Sequence, residues 1–432
     1  MMSVRDLTDP EILNHLKNNT ILRNKQLSVL VKLLNSIDIG STFAIDGAWG
    51  SGKTVFVRQL QMLVDETIED YGRNTIDDSE ISKLREEQEM IYFNAWENDY
   101  ISDALGAILL KLIADSGEGL NEAAIRRALS MLDPSAAIKK LTHDFVDLDG
   151  KPKKDKLIEQ IKPLIDRHEA VNELLDAIKA RRGKKRLIFI IDELDRCRPS
   201  FAMDLLEVIK HYFARDDITF IITANLRELS HTVKKYYGHE FNSDGYLNKF
   251  FDFTFGLNKV DIHNYARNVL NWGLGDTVDS GVARDAINHY KFEMREVNAY
   301  SSSLRLINKF LTKSSNYQHE QFYTQLIFVP LALALKIKDI KKYTVFASGE
   351  GEEVLVDFLN GTDEAVEYVM PAPLNAEKAT EQREEAIQKL TAHYKVLFSP
   401  QGRRGGRDFL EDFYDAISLI GSYTTLDEGS TS

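Results

Sequence analysis

Residues Gly47-Ala48-Trp49-Gly50-Ser51-Gly52-Lys53-Thr54 meet the spacing G-x-x-x-x-G-K-[ST], whose chemistry is specific. Glycines there let backbone N–H groups converge on phosphate oxygens at a helix N-terminus. Lys53 then bridges the β- and γ-phosphates of a nucleoside triphosphate, and Thr54 offers its hydroxyl to Mg²⁺, a hard cation that prefers oxygen ligands and keeps several waters. A second set, Asp192-Glu193, ends an apolar run. Asp192 is the expected second Mg²⁺ residue, acting through water, and Glu193 is placed to orient and polarise the water that attacks the γ-phosphate. Asn225 closes the next apolar run as a candidate sensor of that water or phosphate, with Thr223 as its substitute and a plain strand-ending turn as the alternative. Arg196, Arg198 and Arg305 are the arginines considered for transition-state charge, and the first two serve equally well as partners of Asp195.

These side chains need a sheet edge to hold them. Residues 41–46 are short and apolar before the glycine-rich loop, and Val55, Phe56, Leu60 and Leu63 resume helical spacing after it. Further strands are expected at 90–94, running into Ala95-Trp96-Glu97, at 186–191 and at 218–225, with a helix over 201–213. Continuous β-branched runs with helices between them indicate a doubly wound α/β core with a mainly parallel sheet covered on both faces. Ligands bind such sheets at the carboxyl ends of the strands, where both motifs fall.

The rest of the chain reads as helical. The first 40 residues carry Leu13, Leu16, Leu27, Leu30 and Leu34 at about helical period, and residues from about 115 to 185 are charged and helical, broken at Gly150-Lys151-Pro152. The expected organisation is a core over 1–260 with a helical insertion at about 100–185, a helical lid over 261–345 and an α-rich appendage over 346–432. Within the lid, residues 326–337 are strongly apolar but contain Pro330 and fall short of the roughly 30 Å of a bilayer core, so a buried helix is expected and no transmembrane span. The last quarter offers a glycine break at 348–351, a charged helix near 377–394, a loop at 402–407 read as a turn, and a final helix over 408–420.

Composition sets the outer bounds. With 432 residues, 43% of them hydrophobic, the chain supports two or three domains at about 150 residues each. Only 24 glycines and 9 prolines exclude a fibrous or disordered polymer. A net charge of −13 disfavours non-specific coating of nucleic acid, although basic clusters at 151–156 and 179–186, read as solvated helix ends or loops, leave such a partner open. A single cysteine, Cys197, and a polar N-terminus point to a reducing, cytoplasmic compartment. The ten histidines show no metal-ligand spacing, and Trp49 and Trp96 are expected to pack in the core rather than stack on a base.

In combination these segments resemble the KAP family of P-loop NTPases. The resemblance rests on Trp49-Gly50-Ser51-Gly52-Lys53-Thr54, on Asn94-Ala95-Trp96 and on Ile191-Asp192-Glu193-Leu194-Asp195-Arg196-Cys197, which looks like the family's Walker B segment after a Walker A loop. Phe250-Phe251-Asp252 is similar to its post-sensor segment, and 303–310 to its helical-lid motif, with Leu304 standing where the family usually carries Pro beside Arg305. Many members carry membrane-spanning helices between the two nucleotide motifs, and here the stretch between Lys53 and Asp192 has none. The resemblance implies a Mg²⁺-dependent ATPase whose turnover switches the arrangement of core and lid, and a setting in phage exclusion. Asn258-Lys259-Val260-Asp261 matches the guanine-reading Asn-Lys-x-Asp and keeps GTP open as the less favoured nucleotide. Two other classes stand beside the ATPase: a slow nucleotide-gated scaffold for an unidentified protein partner or effector, and an ATPase acting on nucleic acid. Oligomeric state, and an arginine supplied across a subunit interface, stay open.

Overall fold

Strong β-formers in short runs have to find partners, and here they pair into one five-stranded sheet. The strands are β1 (Thr42–Asp46), β2 (Gln88–Asn94), β3 (Arg186–Asp192), β4 (Ile218–Ala224) and β5 (Phe253–Gly256), all parallel and ordered β2-β3-β4-β1-β5. The computed structural model describes residues 8–65, 67–68, 76–101, 103–116, 120–130, 154–183, 185–274, 278–311, 324–367 and 376–398. The chain divides into two units, Leu7–Lys259 around this sheet and a second from Val260 onward.

Side chains alternate across β3, and both faces are covered. Leu187, Phe189 and Ile191 point to one face, packed by α6 (Ala104–Ser116), α8 (Lys154–Arg182), α9 (Pro199–Tyr212) and α10 (Leu226–Tyr237). Ile188 and Ile190 point to the other, packed by α1 (Asp9–Lys17), α2 (Asn24–Ser36), α3 (Lys53–Val64) and α4 (Asp78–Glu87). A strand buried on both sides cannot alternate polar and apolar residues, which is why β3 and β4 read as unbroken apolar runs. Short helices α5 (Ala95–Asn98) and α11 (Ser243–Leu247) and a helix α7 (Glu122–Ser130) complete the unit.

The helical pattern of the first 40 residues is present as two helices, with Asn19 and Leu22 in left-handed backbone between α1 and α2. Other expectations need revision. The strand β5, at Phe253–Gly256, is not among the expected strands. It is four residues long, mostly exposed, and held by β1 on one side alone, with Phe253 stacked on Phe43 at 5.0 Å. The basic cluster at 179–186 is not a solvated face throughout, since Arg182 is buried, with the Glu89 and Asp217 charges opposing the fall in pKa that burial causes. The break at Gly150-Lys151-Pro152, the 402–407 loop and the helix expected at 408–420 lie outside the described residues.

The second unit is helical throughout its described residues. Its elements are α12 (Ile262–Leu274), α13 (Val278–His289), α14 (Met294–Leu311), α15 (Val329–Lys338), α16 (Ile340–Ser348), α17 (Glu352–Asn360), α18 (Glu364–Glu367) and α19 (Ala376–Leu397). Residues 329–336 of α15 are all buried, as expected of the apolar run. Phe328, Phe346, Tyr394 and Phe398 form an aromatic cluster beside it. Among the described residues no helix is long and apolar enough to cross a membrane.

Candidate active site

Parallel register brings four strand ends to one edge. Asp46 pairs with Ala224, and Asn94 with Asp192, so the segments leaving β1, β2, β3 and β4 emerge together. Asp46 Oδ1 accepts from the Leu226 N–H at 2.9 Å, and the Gly47 N–H donates to the Ala224 carbonyl at 3.3 Å, which fixes the base of the glycine-rich loop. The loop then turns through Gly50 at φ 73° and Gly52 at φ 85°. That backbone is strained for any residue with a side chain, so the glycines are required by the path itself. Gly52 is the residue before α3, and no side chain caps that helix, so its first N–H groups and its dipole favour an anion at the loop.

Lys53 lies at the first position of α3, where its ammonium donates to the carbonyls of Gly47 at 2.7 Å and Ala48 at 3.4 Å. Burial lowers its pKa, and the neighbouring Asp195, Asp192 and Asp46 oppose that shift while Arg196 adds to it. A cation thus sits among three carboxylates without being neutralised by a single one. Thr54 follows, half-buried.

Asp192 is fully buried at the end of β3. Its Oδ2 accepts from the Tyr92 hydroxyl at 2.8 Å, and its Oδ1 accepts from the Thr223 hydroxyl and from the Glu193 N–H at 3.0 Å. Burial and the Asp192 charge both push the Tyr92 phenol up, so it remains a donor at any physiological pH. Glu193 takes left-handed backbone at φ 62°, a conformation that costs a non-glycine residue on the order of 1–3 kcal/mol. Its carboxylate pairs with Arg196 at 2.7 Å and accepts from the Asn94 amide at 3.4 Å. The same Asn94 caps α5 through its side-chain oxygen, accepting from the N–H groups of Trp96 and Glu97.

The tryptophans overturn the core-packing expectation. Trp49 is 52% exposed and Trp96 50% exposed. Each is fixed by a polar neighbour: the Trp49 indole N–H donates to Asp195 at 2.6 Å, and the Arg196 guanidinium lies 5.4 Å from the centre of the Trp96 ring. Arg196 therefore serves Glu193 and not Asp195, and Arg198 pairs with Asp99.

Among the sequence-derived residues, the 47–54 loop, Asp192, Glu193 and Asn225 share one sheet edge. Arg305 belongs to α14 of the second unit, where its guanidinium donates to the Ser301 carbonyl and hydroxyl. Asn225 has a second duty, because its side-chain oxygen accepts from the Glu228 N–H and caps α10. Asn225→Ala is expected to lose about 1 kcal/mol of stability in urea unfolding through the cap alone. Asn225→Asp keeps the cap and removes the amide donor, so lost turnover at unchanged stability in that variant assigns the donor a role. Tyr92 and Asn94 were not singled out as site residues from sequence. Their signal is the register β2↔β3, which no local pattern encodes.

The family model described as the KAP family P-loop domain matches residues 23–328, more than two thirds of the chain. No curated protein gives a significant match.

Proposed function

The chain belongs to the KAP family of P-loop domains, and on that premise we propose a Mg²⁺-dependent nucleoside triphosphatase with ATP as the favoured substrate. The observation that carries the reading is the meeting, at one sheet edge, of an uncapped helix N-terminus with Lys53 and the acidic pair Asp192-Glu193. Phosphates rest on the N–H groups of the 47–54 loop, and Lys53 leaves the Gly47 and Ala48 carbonyls for the β- and γ-phosphate oxygens. The Thr54 hydroxyl and the Asp192 carboxylate are hard oxygen donors that fit Mg²⁺, which when bound neutralises charge on the phosphates. Among the described residues no group of three His, Cys, Asp or Glu side chains is placed to hold a metal ion by itself.

Glu193 orients the attacking water and takes its proton as the bond to phosphorus forms. Asn225 supplies a donor to the same water or to the γ-phosphate, and a role for Arg305 in neutralising transition-state charge rests on the family resemblance alone. In this arrangement Glu193 is held by Arg196 and Asn94, so basal turnover is slow until that hold is released. The lid, the cytoplasmic setting and a role in phage exclusion with a protein effector rest on family kinship and composition. Cells carrying the wild-type chain or Glu193→Gln, challenged with phage, test the last.

Steady-state phosphate release from the full chain, with ATP or GTP and with Mg²⁺ present or chelated, tests the activity. Mg²⁺-dependent release from ATP is expected. Tight binding of either nucleotide with no release would instead assign a nucleotide-gated scaffold, and salt-dependent binding to DNA or RNA would bring the nucleic-acid reading forward.

A further inference from the structure

Arg23 precedes α2 and is 4% exposed. Its Nη1 donates to the Ser51 carbonyl and its Nη2 to the Asn258 carbonyl, both at 2.6 Å, while its buried Nε has no partner. Burial alone drives its pKa down to about 10, and among the described residues no carboxylate pairs with it. Several other arginines of this unit pair with carboxylates, among them Arg58 with Asp9, Arg196 with Glu193 and Arg215 with Asp176 and Asp217, whereas Arg186 donates to the Ile37 carbonyl. One turn on, Gln26 donates to the Gly256 carbonyl at 3.2 Å and accepts from the Asn258 N–H at 3.3 Å. The start of α2 thus clamps together the glycine-rich loop and the segment leaving β5.

A buried guanidinium with carbonyl partners and no anion is an expensive thing to fold. Its position explains what repays it. The Ser51 carbonyl and the Gly52 N–H belong to one planar trans peptide and point in opposite directions. Holding that carbonyl toward Arg23 turns the Gly52 N–H the other way, and Gly52, at φ 85°, is a residue free enough to flip without such a hold. The positive charge also polarises the peptide, which strengthens the N–H as a donor.

We propose that Arg23 is a positioning residue for phosphate: through the Ser51 carbonyl it fixes the Gly52 N–H toward the ligand, and the polyphosphate supplies the anion that the chain withholds from it. The inference rests on the nucleotide-binding reading above and assigns Arg23 to that site as its third basic element, beside Lys53 and the helix N-terminus.

Charge matching makes a graded prediction. In the full chain, Arg23→Gln keeps an amide donor and removes the charge, and its affinity for ATP is expected to fall tenfold or more, for ADP by less, and for AMP by no more than about twofold. Arg23→Lys keeps the charge without the two-pronged bridge and is expected to recover part of the ATP affinity. Isothermal titration of the three nucleotides, with circular dichroism to establish native fold, reads the result. A merely structural arginine would lower all three affinities alike, and that result, or ATP affinity within twofold of wild type, overturns the proposal. If Arg23→Gln does not fold, Arg23→Lys carries the test, with a loss for ATP that exceeds the loss for AMP as the supporting result. A wild-type chain that binds neither ATP nor GTP overturns the nucleotide reading and this inference together, whereas normal wild-type binding with an ungraded variant overturns this one alone.

Discussion

Glu193→Gln is expected to bind ATP as wild type does and to release phosphate roughly 10²- to 10⁴-fold more slowly, the span that a positioned acid–base group contributes. The substitution is close to isosteric, so the amide still accepts from Asn94 and the left-handed backbone at φ 62° carries a side chain of the same size. What it removes is the proton acceptor and the ion pair with Arg196. That pair is partly solvated, with side-chain exposures of 14% and 30%, and pairs of this kind contribute about 0–1 kcal/mol, so the fold should survive. Loss of kcat at unchanged affinity is the signature of a group that acts only in the transition state. Undiminished turnover in the variant would remove Glu193 as the catalytic carboxylate and leave the proton acceptor to another group.

Much of this arrangement was legible in the sequence, for reasons that differ from residue to residue. The 47–54 loop was legible because its glycines are demanded by backbone geometry at Gly50 and Gly52, and such demands leave little choice of residue. The strands β3 and β4 were legible because burial on both faces forbids polar interruptions. The two-sided parallel core followed from those runs. By contrast, β5 has four residues at an exposed edge, where packing imposes almost no pattern.

The partners of the site residues were less legible, because they are set by register and by long-range contact. Nothing local to Asn94 says that it will lie beside Asp192, since β2 and β3 are separated by about ninety residues of chain and pair only in three dimensions. Asn225 illustrates a different limit. Its residue type suits both a sensor and a helix cap, and the structure shows the cap directly. The tryptophans misled because large aromatic rings usually complete a core, whereas here the rings are anchored by Asp195 and Arg196 at the surface of the site. Arg23 was invisible for a related reason: an arginine ahead of an amphipathic helix looks like a solvated end, and only its depth and its carbonyl partners separate it from one.

Lys53→Ala should abolish nucleotide binding, with affinity lowered by at least about a hundredfold, or roughly 2.7 kcal/mol. Two effects act in the same direction. The ammonium is lost as a point charge for the β- and γ-phosphates, and a unit charge pair at about 4 Å is worth about 4 kcal/mol where the effective dielectric is near 20. In addition Asp46, Asp192 and Asp195, which all favour the charged form of Lys53, are left without it and repel the incoming anion. The cost to folding should be small by comparison, because the residue is itself a desolvated cation that the helix holds against burial. Far-UV circular dichroism and a denaturant midpoint close to wild type would establish that the variant is folded, and titration with a fluorescent ATP analogue would then read the loss. Binding within a few-fold of wild type in a folded Lys53→Ala chain would mean that the loop at 47–54 receives no polyphosphate, and the acidic pair beside it would need another explanation.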